Sequence, residues 1–326
     1  MSPNHITDEV KALIGMESAP VEATHPVEAS EVRRFHQATM DEAPRYWDAD
    51  WARQSRYRAR VAPPAFPVHA FRRAAGTADP LGAMGEQDFD GLNRQLRPGL
   101  PPVKVPLVRL LNGGYDYEFY RYAHLGERIF CKSRYTDIYQ RDGKSGPMVF
   151  ILMEDHEQHH PALTDEDAMK RPHFEDLSIG EEIPTVVKGP MSPAHIMRWA
   201  AAMENWHRIH YDWRYATEHD RLPDVLVNGS WKQHVMVQLL TDWVGEVGWL
   251  WKISFQFRGM NVPGDTLTAW GRTTGKEARG AYGLVTLDIG LKNQKGDEGT
   301  PGTAVTVWPR RGGPAIPYPF DPRIVS

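Results

Sequence analysis

The sequence predicts an α+β fold built from two similar halves, each containing a long helix followed by antiparallel strands. Residues 205–212 have a degraded copy at residues 41–48, and a short helical pattern precedes each copy. Runs with strand-like alternation follow in both halves. A chain of 326 residues also suits two domains of about 150 residues each. One duplicated unit explains all three observations.

The two copies, here called the first copy (41–48) and the second copy (205–212), align without a gap. Asn205 falls on Asp41, and His210 falls on Tyr46. Only the second copy therefore carries an imidazole at this place. This difference predicts proton chemistry in the second half and its loss from the first.

The repeat extends beyond these copies. Further matches are 13–17 with 178–182, 117–119 with 255–257, and the turns at Gly126 and Gly264. The first half holds about 26 more residues, which we place in the Pro- and Arg-rich stretch 51–102. A repeat this long predicts two domains rather than a solenoid with units of about 20–50 residues. We predict an N-terminal degenerate domain (1–156), a linker (157–172), a C-terminal domain with the site (173–312) and a Pro-rich tail (313–326).

The first half gives the weaker secondary-structure pattern. It predicts a short helix near Val10, a helix within 31–48, and strands over 115–122, 128–140 and 148–154. Gly- and Pro-containing turns separate these strands. The long stretch before them has little periodicity.

The second half has clearer signals. A strand is predicted over 182–188, and Ser192 with Pro193 should begin a helix that ends at Met203. An apolar stripe predicts a long helix over 231–244. Strands are expected at 251–258, 266–276, 283–292 and 303–307. A helix with such a stripe suits enclosure by a twisted sheet, which is the hot-dog arrangement.

Composition narrows the class of protein. The net charge of −4 gives no basic surface for nucleic acid, so an anionic ligand must be held by local Lys and Arg. The single cysteine, Cys131, excludes an intrachain disulfide and suits a reducing compartment. We find neither an apolar signal segment nor a run of the roughly 20 apolar residues that span a bilayer. We expect a soluble cytoplasmic protein that does not bind membranes.

At this point the second half resembles the MaoC-like dehydratases, the (R)-specific 2-enoyl-CoA hydratases. Their signature, Asp-x-Asn-Pro-(Ile/Leu)-His-x-Asp, is followed by an apolar-x-His/Pro-Gly turn into the central helix. The second copy reads Asn-Trp-His-Arg-Ile-His-Tyr-Asp, and residues 227–229 read Val-Asn-Gly. Residues 62–67 and 143–148 resemble the N-terminal domain of two-domain members. The resemblance implies a double hot-dog fold, with two antiparallel sheets each wrapped around a central helix and packed as a pseudo-dimer.

The resemblance also implies an activity. The family hydrates 2-enoyl-CoA thioesters or dehydrates 3-hydroxyacyl-CoA, without metal and with coenzyme A only as part of the substrate. His210 is then the base, since an imidazole exchanges protons near neutral pH. The Gly229 N–H, at the helix start, is expected to stabilise negative charge on the thioester oxygen.

Three motif positions depart from the signature: Asn205 replaces the aspartate, His207 the asparagine and Arg208 the proline. Asn205 can hold a water molecule but cannot transfer a proton. Glu204 or Asp212 are possible sources of the missing carboxylate, although Asp212 more often caps or braces such a loop. His207 either assists His210 or is a solvent-exposed replacement.

Structural alternatives apply to the same residues. His210 could be a buried histidine with a purely structural hydrogen bond, and Gly229 could serve only a tight turn. His207, His210 and Asp212 also have the spacing of a metal cluster. Zinc usually takes three or four well-placed ligands, and no further ligand lies nearby in the sequence. We therefore predict no metal site, and expect the His-rich run 156–160 to be solvated.

The first half should be catalytically poor because Tyr46 replaces the histidine. We expect it to help form a space for a bulky acyl chain. Tryptophans near the second helix either line that space or pack in the core. Two other functions stay open: a weakly active acyl-CoA-binding subunit of a hetero-complex, and an acyl-CoA thioesterase. Homodimers and hetero-oligomers are both compatible with the sequence.

Overall fold

The structure is a computed structural model that describes residues 3–74, 76–92, 94–107, 109–143, 146–158 and 172–326. Lys144, Ser145 and most of the predicted linker lie outside the described residues, as do His159 and His160. The α-helices are α1 (Asp8–Lys11), α2 (Ala29–Ala38), α3 (Ala49–Gln54), α4 (Pro193–Ala202) and α5 (Gly229–Val244). The strands are β1 (Val21–Glu22), β2 (Gly114–Glu118), β3 (Phe130–Gly143), β4 (Gly146–Gln158), β5 (Val186–Lys188), β6 (Trp249–Gln256), β7 (Leu267–Arg279), β8 (Tyr282–Lys292) and β9 (Gly302–Pro309).

Contacts divide the chain into two compact units that interleave along the sequence. The first unit consists of the described residues within Met1–Val27, Pro67–Leu111 and Gly126–Pro161. The second consists of Glu28–Phe66, Asn112–Leu125 and the described part of Ala162–Ser326. These units differ from the contiguous domains drawn at residues 156 and 173, because two segments of the first half belong to the second unit. The division by duplication stays a prediction.

The first unit is built on a three-stranded antiparallel sheet in the order β1-β3-β4. Its core contains Val10 from α1, Leu100, and Tyr135 and Ile138 from β3. Within the described residues of this unit, α1 is the longest α-helix. The long central helix implied for this sheet is therefore not present there. Prolines and glycines punctuate 67–111, and they oppose a long helix because they remove N–H donors and add backbone freedom.

The second unit contains a six-stranded antiparallel sheet in the order β2-β6-β9-β8-β7-β5. Helix α5 contacts β5, β6, β7 and β8. Its predicted apolar stripe is buried, including Val235, Met236, Leu239 and Leu240. Full burial of one such side chain contributes about 1.5–3 kcal/mol, so the stripe holds the helix firmly against the sheet. This unit has the enclosed helix expected of a hot-dog domain.

The internal repeat is visible in backbone geometry. Gly15 and Gly180, aligned in the two halves, have φ of 86° and 88°. Their N–H groups donate to the carbonyls of Tyr135 and Thr273, at 2.8 Å in both cases. A left-handed backbone of this kind favours glycine. The matched segments therefore adopt the same turn against equivalent strands.

The two motif copies repeat each other as well. The N–H of Asp41 and that of Asn205 each donate at 2.9 Å to the carbonyl five residues earlier. The preceding residue is left-handed in both, with φ of 54° at Met40 and 51° at Glu204. A single-turn 3-10 helix follows each, Pro44–Tyr46 and Arg208–His210. The loop geometry is thus retained in the first copy although its residues have changed.

Equivalent elements of the two halves meet inside the second unit. Strands β2 and β6 pair antiparallel, with Asp116 opposite Ser254, its own repeat equivalent. The ring of Phe35 on α2 packs edge-on against its equivalent Trp199 on α4, with centroids 5.1 Å apart. Pairing of a surface with its own copy is the signature of a two-fold contact. These contacts have the form that a pseudo-dimer predicts.

The Pro-rich tail is irregular except for a short 3-10 helix at Pro322–Val325. The hydroxyl of Tyr318 donates to the carbonyl of Tyr122 at 2.9 Å, and the Phe320 N–H donates to Tyr120 at 2.7 Å. The Phe320 side chain is buried.

Among the helices that the structure describes, none combines the length and apolarity needed to cross a membrane.

Candidate active site

The loop after α4 carries the second copy. Ser192 caps α4 by accepting the His195 N–H, and Pro193 occupies the first turn, as the sequence predicted. In the loop, Asn205 Oδ1 accepts the His207 N–H at 3.3 Å. In the first copy, Asp41 makes the equivalent bond at 3.1 Å. Asn205 therefore keeps the bracing function of the acid that it replaces.

Asp212 braces the end of the same loop. Its Oδ2 accepts from Nε and Nη2 of Arg208 at 2.9 and 2.7 Å, and its Oδ1 accepts the Tyr215 N–H at 3.1 Å. Burial raises the pKa of Asp212, but the hydrogen bonds from Tyr215 and Arg208 outweigh burial and lower it. Arg208 also lies over the Tyr215 ring, 4.3 Å from its centroid. The contacts of Asp212 are those of a cap and brace.

His210 is buried, with 8% of its surface exposed. Its Nδ1 lies 2.8 Å from the carbonyl oxygen of Leu226. Because a carbonyl only accepts, Nδ1 must carry the proton, and Nε2 of the neutral ring keeps its lone pair. Burial lowers the pKa of His210 to about 3; the Leu226 bond opposes this, and nearby His207 adds to it. The resting imidazole is thus neutral, with one defined tautomer.

His207 lies against His210. It is also 8% exposed, and the two ring centroids are 5.6 Å apart at an interplanar angle of 86°. Of the two alternatives for His207, the solvent-exposed replacement is contradicted, because the side chain is buried next to the His210 ring. Its edge-on contact limits the positions that the His210 ring can occupy.

A pocket of about 340 Å³ lies beside His210 in the second unit. Its lining residues are Pro193, Ala194, Met197, His210, Tyr211, Trp213, Asp224 and Val225. Most of this wall is apolar, and Trp213 is 56% exposed at its rim. His210, Tyr211 and Asp224 are the titratable residues of the lining. Asn205 and Gly229 are not among the lining residues.

Helix α5 begins at Gly229, three residues after the carbonyl that holds His210. No side chain caps this helix, and the Gly229 N–H has no acceptor among the described residues. Uncapped N–H groups and the helix dipole make this end attractive to negative charge. The start of α5 can therefore stabilise an anion near the imidazole.

Packing explains why residue 229 is glycine. Its φ is not in the left-handed region, so a tight turn does not require it. A Cβ added there would lie 3.1 Å from the ring of Phe257. Close approach of the helix start to this ring thus favours glycine, whatever its N–H does.

The first copy has lost the chemical groups of the second. Ala62 and Val227 donate equivalent backbone hydrogen bonds in the two halves, to the carbonyls of Ala123 and Asn261 at 2.7 and 2.8 Å. This register places Pro64 at the position of Gly229. Proline has no N–H, and Tyr46 already replaces the imidazole. The first half therefore lacks both the imidazole of His210 and the amide donor of Gly229 at the equivalent positions.

An ionic cluster around the buried Arg45 lies at the first copy instead. Arg45 Nη2 donates to Asp242 Oδ1 at 2.9 Å and to Thr241 Oγ1 at 3.4 Å. Asp41 is 5% exposed, and burial raises its pKa. The Asp242 side chain is 42% exposed, so the pair is buried only on the Arg45 side. Removing Asp242 would leave the buried guanidinium without its charged partner, which is costly.

Other polar and aromatic candidates have structural contacts. Trp231 donates to the Ala38 carbonyl at 3.0 Å and Trp249 to Phe119 at 2.8 Å, both in the core. Lys232 is 3% exposed and donates to the Gly259 carbonyl at 2.8 Å, and burial lowers its pKa to about 8. It is therefore not accessible to the phosphates of a bound cofactor moiety. Over the described ranges, no group of three or more His, Cys, Asp or Glu could hold a metal ion.

The first half of the chain is similar to known dehydratases. Residues 12–161 match a family model described as FAS1-like, dehydratase domain region. A curated relative, mesaconyl-C(4)-CoA hydratase of Chloroflexus aurantiacus, is 24% identical over 153 residues. That match covers 43% of this chain and 53% of the relative, so it spans only about half the relative's length.

Solved structures match nearly the whole chain. One described as a MaoC-like dehydratase has a TM-score of 0.63 at 16% identity, covering 93% of this chain and 100% of the other. A putative MaoC domain protein dehydratase from Chloroflexus aurantiacus has a TM-score of 0.59 at 13% identity, covering 92% and 96%. Identities this low establish the fold. The chain therefore shares the fold of MaoC-like dehydratases, and within its first half it also matches a dehydratase family model.

Proposed function

We propose that this protein is a MaoC-type hydro-lyase that hydrates a 2-enoyl-CoA thioester or dehydrates a 3-hydroxyacyl-CoA. The observation that carries the proposal is the 2.8 Å bond between His210 and Leu226, which fixes a neutral imidazole beside a pocket and near the start of α5. The dehydratase match and the curated CoA-thioester hydratase support the same reaction class.

His210 acts as the base. Its Nδ1 proton is committed to Leu226, so Nε2 takes a proton from water as the water oxygen attacks the β-carbon. The proton then passes from Nε2 to the α-carbon. The tautomer fixed by Leu226 is the one that this step needs, and the fixed ring spares the cost of orienting it.

Gly229 stabilises the charge that develops. As the C–O bond forms at the β-carbon, the electron pair of the double bond moves toward the thioester oxygen. The free N–H at the start of α5 then donates to that oxygen, and the helix dipole adds to the effect. Loss of one such donor typically reduces the rate by about 10²–10³-fold.

Asn205 and Asp212 support the site by holding the loop of the second copy in place. Asn205 uses Oδ1 to hold the His207 N–H and has Nδ2 left to hold water. Asp212 fixes Arg208 and the start of the short π-helix Tyr215–His219. His207 positions the His210 ring from its edge.

The test is a panel of crotonyl-CoA, longer and cyclic enoyl-CoAs, followed by loss of the enoyl absorbance. His210→Gln should lower kcat by about 10²–10⁴-fold, the usual contribution of a general base. His36→Gln is the matched control, because His36 is also buried with Nδ1 2.8 Å from a backbone carbonyl, that of Asp41. An unchanged rate in His210→Gln would exclude this base.

The neutral side chain of Asn205 favours one alternative, a weakly active acyl-CoA-binding subunit of a hetero-complex. Such a protein would bind CoA esters, detected by mass spectrometry of the purified protein, while turning over no member of the panel. Release of free thiol from a saturated acyl-CoA would instead indicate a thioesterase. Hydration with rapid turnover dismisses both.

A further inference from the structure

We propose that Asp224, outside the motif, supplies the carboxylate that works with His210 on the reacting water. The inference rests on the proposed hydratase function. The polar group that acts beside His210 is then Asp224, five positions before Gly229 in the sequence.

The carboxylates of the motif are not available to the pocket. Asp212 is held by Arg208 and by the Tyr215 N–H. Glu204 is exposed, its own backbone is left-handed, and it is not part of the pocket lining. Asn205 is a neutral amide. The motif thus provides no carboxylate facing the same space as the imidazole.

Asp224 lines that space together with His210. Its Oδ1 accepts the Val225 N–H at 2.7 Å, which fixes the carboxylate relative to the backbone. Its Oδ2 has no hydrogen-bond partner among the described residues. Tyr211, the other titratable residue of the lining, already donates its hydroxyl to the Trp206 carbonyl at 2.8 Å. Asp224 therefore has the one carboxylate oxygen of the lining that is positioned and unused.

The imidazole needs such a group. Burial opposes protonation of His210, so a proton taken from water creates a cation that lacks solvent. A negative charge across the pocket stabilises the imidazolium and accepts a hydrogen bond from the same water. With a neutral lining, the imidazolium would have no negative charge nearby, and the water would lose this hydrogen-bond acceptor.

Atoms and charges balance in the resulting step. The water oxygen bonds to the β-carbon, one water proton moves to His210 Nε2, and the double-bond electrons move to the thioester oxygen. His210 then returns that proton to the α-carbon, and the second water hydrogen, held by Asp224 Oδ2 during attack, stays on the new hydroxyl. Asp224 is unchanged at the end, and no further reactant is required.

Asp224→Asn tests the charge with little change of shape, because the amide oxygen can still accept the Val225 N–H. We expect kcat for enoyl-CoA hydration to fall by about 10²-fold, with KM within threefold of the parent. Glu218→Gln is the matched control, because Glu218 is an exposed carboxylate on the π-helix Tyr215–His219 and is not part of the lining. It should retain the parental rate.

A second variant separates chemistry from structure. Asp224→Ala leaves a space the size of a small carboxylate, and formate at constant ionic strength should restore at least tenfold in kcat, whereas chloride should not. Activity of Asp224→Asn within threefold of an active parent overturns the role of Asp224 and leaves the hydratase proposal standing. Loss that formate fails to restore assigns the effect to structure and also overturns it. A parent inactive on the whole panel overturns the hydratase proposal and this role with it.

Discussion

Replacing Gly229 by proline removes one N–H from the start of α5 while allowing the helix to form. Proline suits the first helical position because the N–H there has no intrahelical acceptor. The preceding residue, Asn228, has a ψ of 134°, within the range that a following proline requires. Pro64 already occupies the equivalent place in the first half. The substitution therefore isolates the proposed oxyanion donor.

The expected loss is about 10²–10³-fold in kcat, or roughly 2.7–4 kcal/mol of transition-state stabilisation. The new Cβ would lie 3.1 Å from the Phe257 ring, so the protein should also lose about 1–3 kcal/mol of stability by overpacking. Gly229→Ala adds the same Cβ and keeps the N–H. The ratio of kcat between the alanine and proline variants therefore compares the site with and without this N–H at a shared Cβ, and the proline ring carbons are the remaining difference.

The assay is the initial rate at saturating enoyl-CoA for both variants, with urea unfolding to confirm that each is folded. Alanine should retain most of the parental kcat, and proline should fall by at least 10²-fold relative to alanine. If the two variants agree within threefold, the amide of Gly229 does not stabilise the transition state. Glycine would then be needed at residue 229 only because a side chain there would lie too close to the Phe257 ring.

Two further predictions concern the motif loop. Burial lowers the pKa of His210 from 6.5 to about 3, so its stabilising neutral form is fully present above pH 6.5 and is lost as the pH falls toward 3. Between pH 7 and 5, the unfolding free energy of the parent should drop by about 2 kcal/mol more than that of His210→Gln, and equal drops would contradict the burial argument. Asn205→Asp keeps the oxygen that accepts the His207 N–H and adds a proton-transferring group, so it should raise the hydration rate severalfold. A rate no higher than the parent's would show that residue 205 does not limit turnover.

Local signals made the second half predictable. The helix expected over 231–244 is observed at Gly229–Val244, and the one expected to begin at Ser192 and Pro193 is observed at Pro193–Ala202. Capping residues and apolar periodicity depend only on neighbouring sequence, which is why they located both helices. The repeat was predictable for the same reason, since glycines at left-handed positions mark its turns.

The sequence could not predict which distant segments meet in the folded protein. The sequence pointed to Glu204 and Asp212 as carboxylate sources, but Asp224 lines the pocket. Its neighbours there come from three separated segments, 193–197, 210–213 and 224–225, whose meeting no local pattern reveals. The burial of Lys232 depends likewise on the Gly259 carbonyl of a distant loop. The interleaved units follow from long-range pairing of β2 with β6, which spacing alone does not encode.

The two halves have diverged in complementary ways. The first copy keeps the acid, Asp41, in a cluster with buried Arg45, where it braces the loop through the Ala43 N–H. The second copy makes the same brace with Asn205, which shows that the hydrogen bond, not the charge, is what the loop requires at this position. In the proposed mechanism, a carboxylate needed for chemistry must then come from another place in the fold, and Asp224 is the one that lines the same pocket as His210. If Asn205→Asp raised the rate of Asp224→Asn, the two positions would be alternative sources of the same charge, and the divergence would be a relocation of the acid rather than its loss.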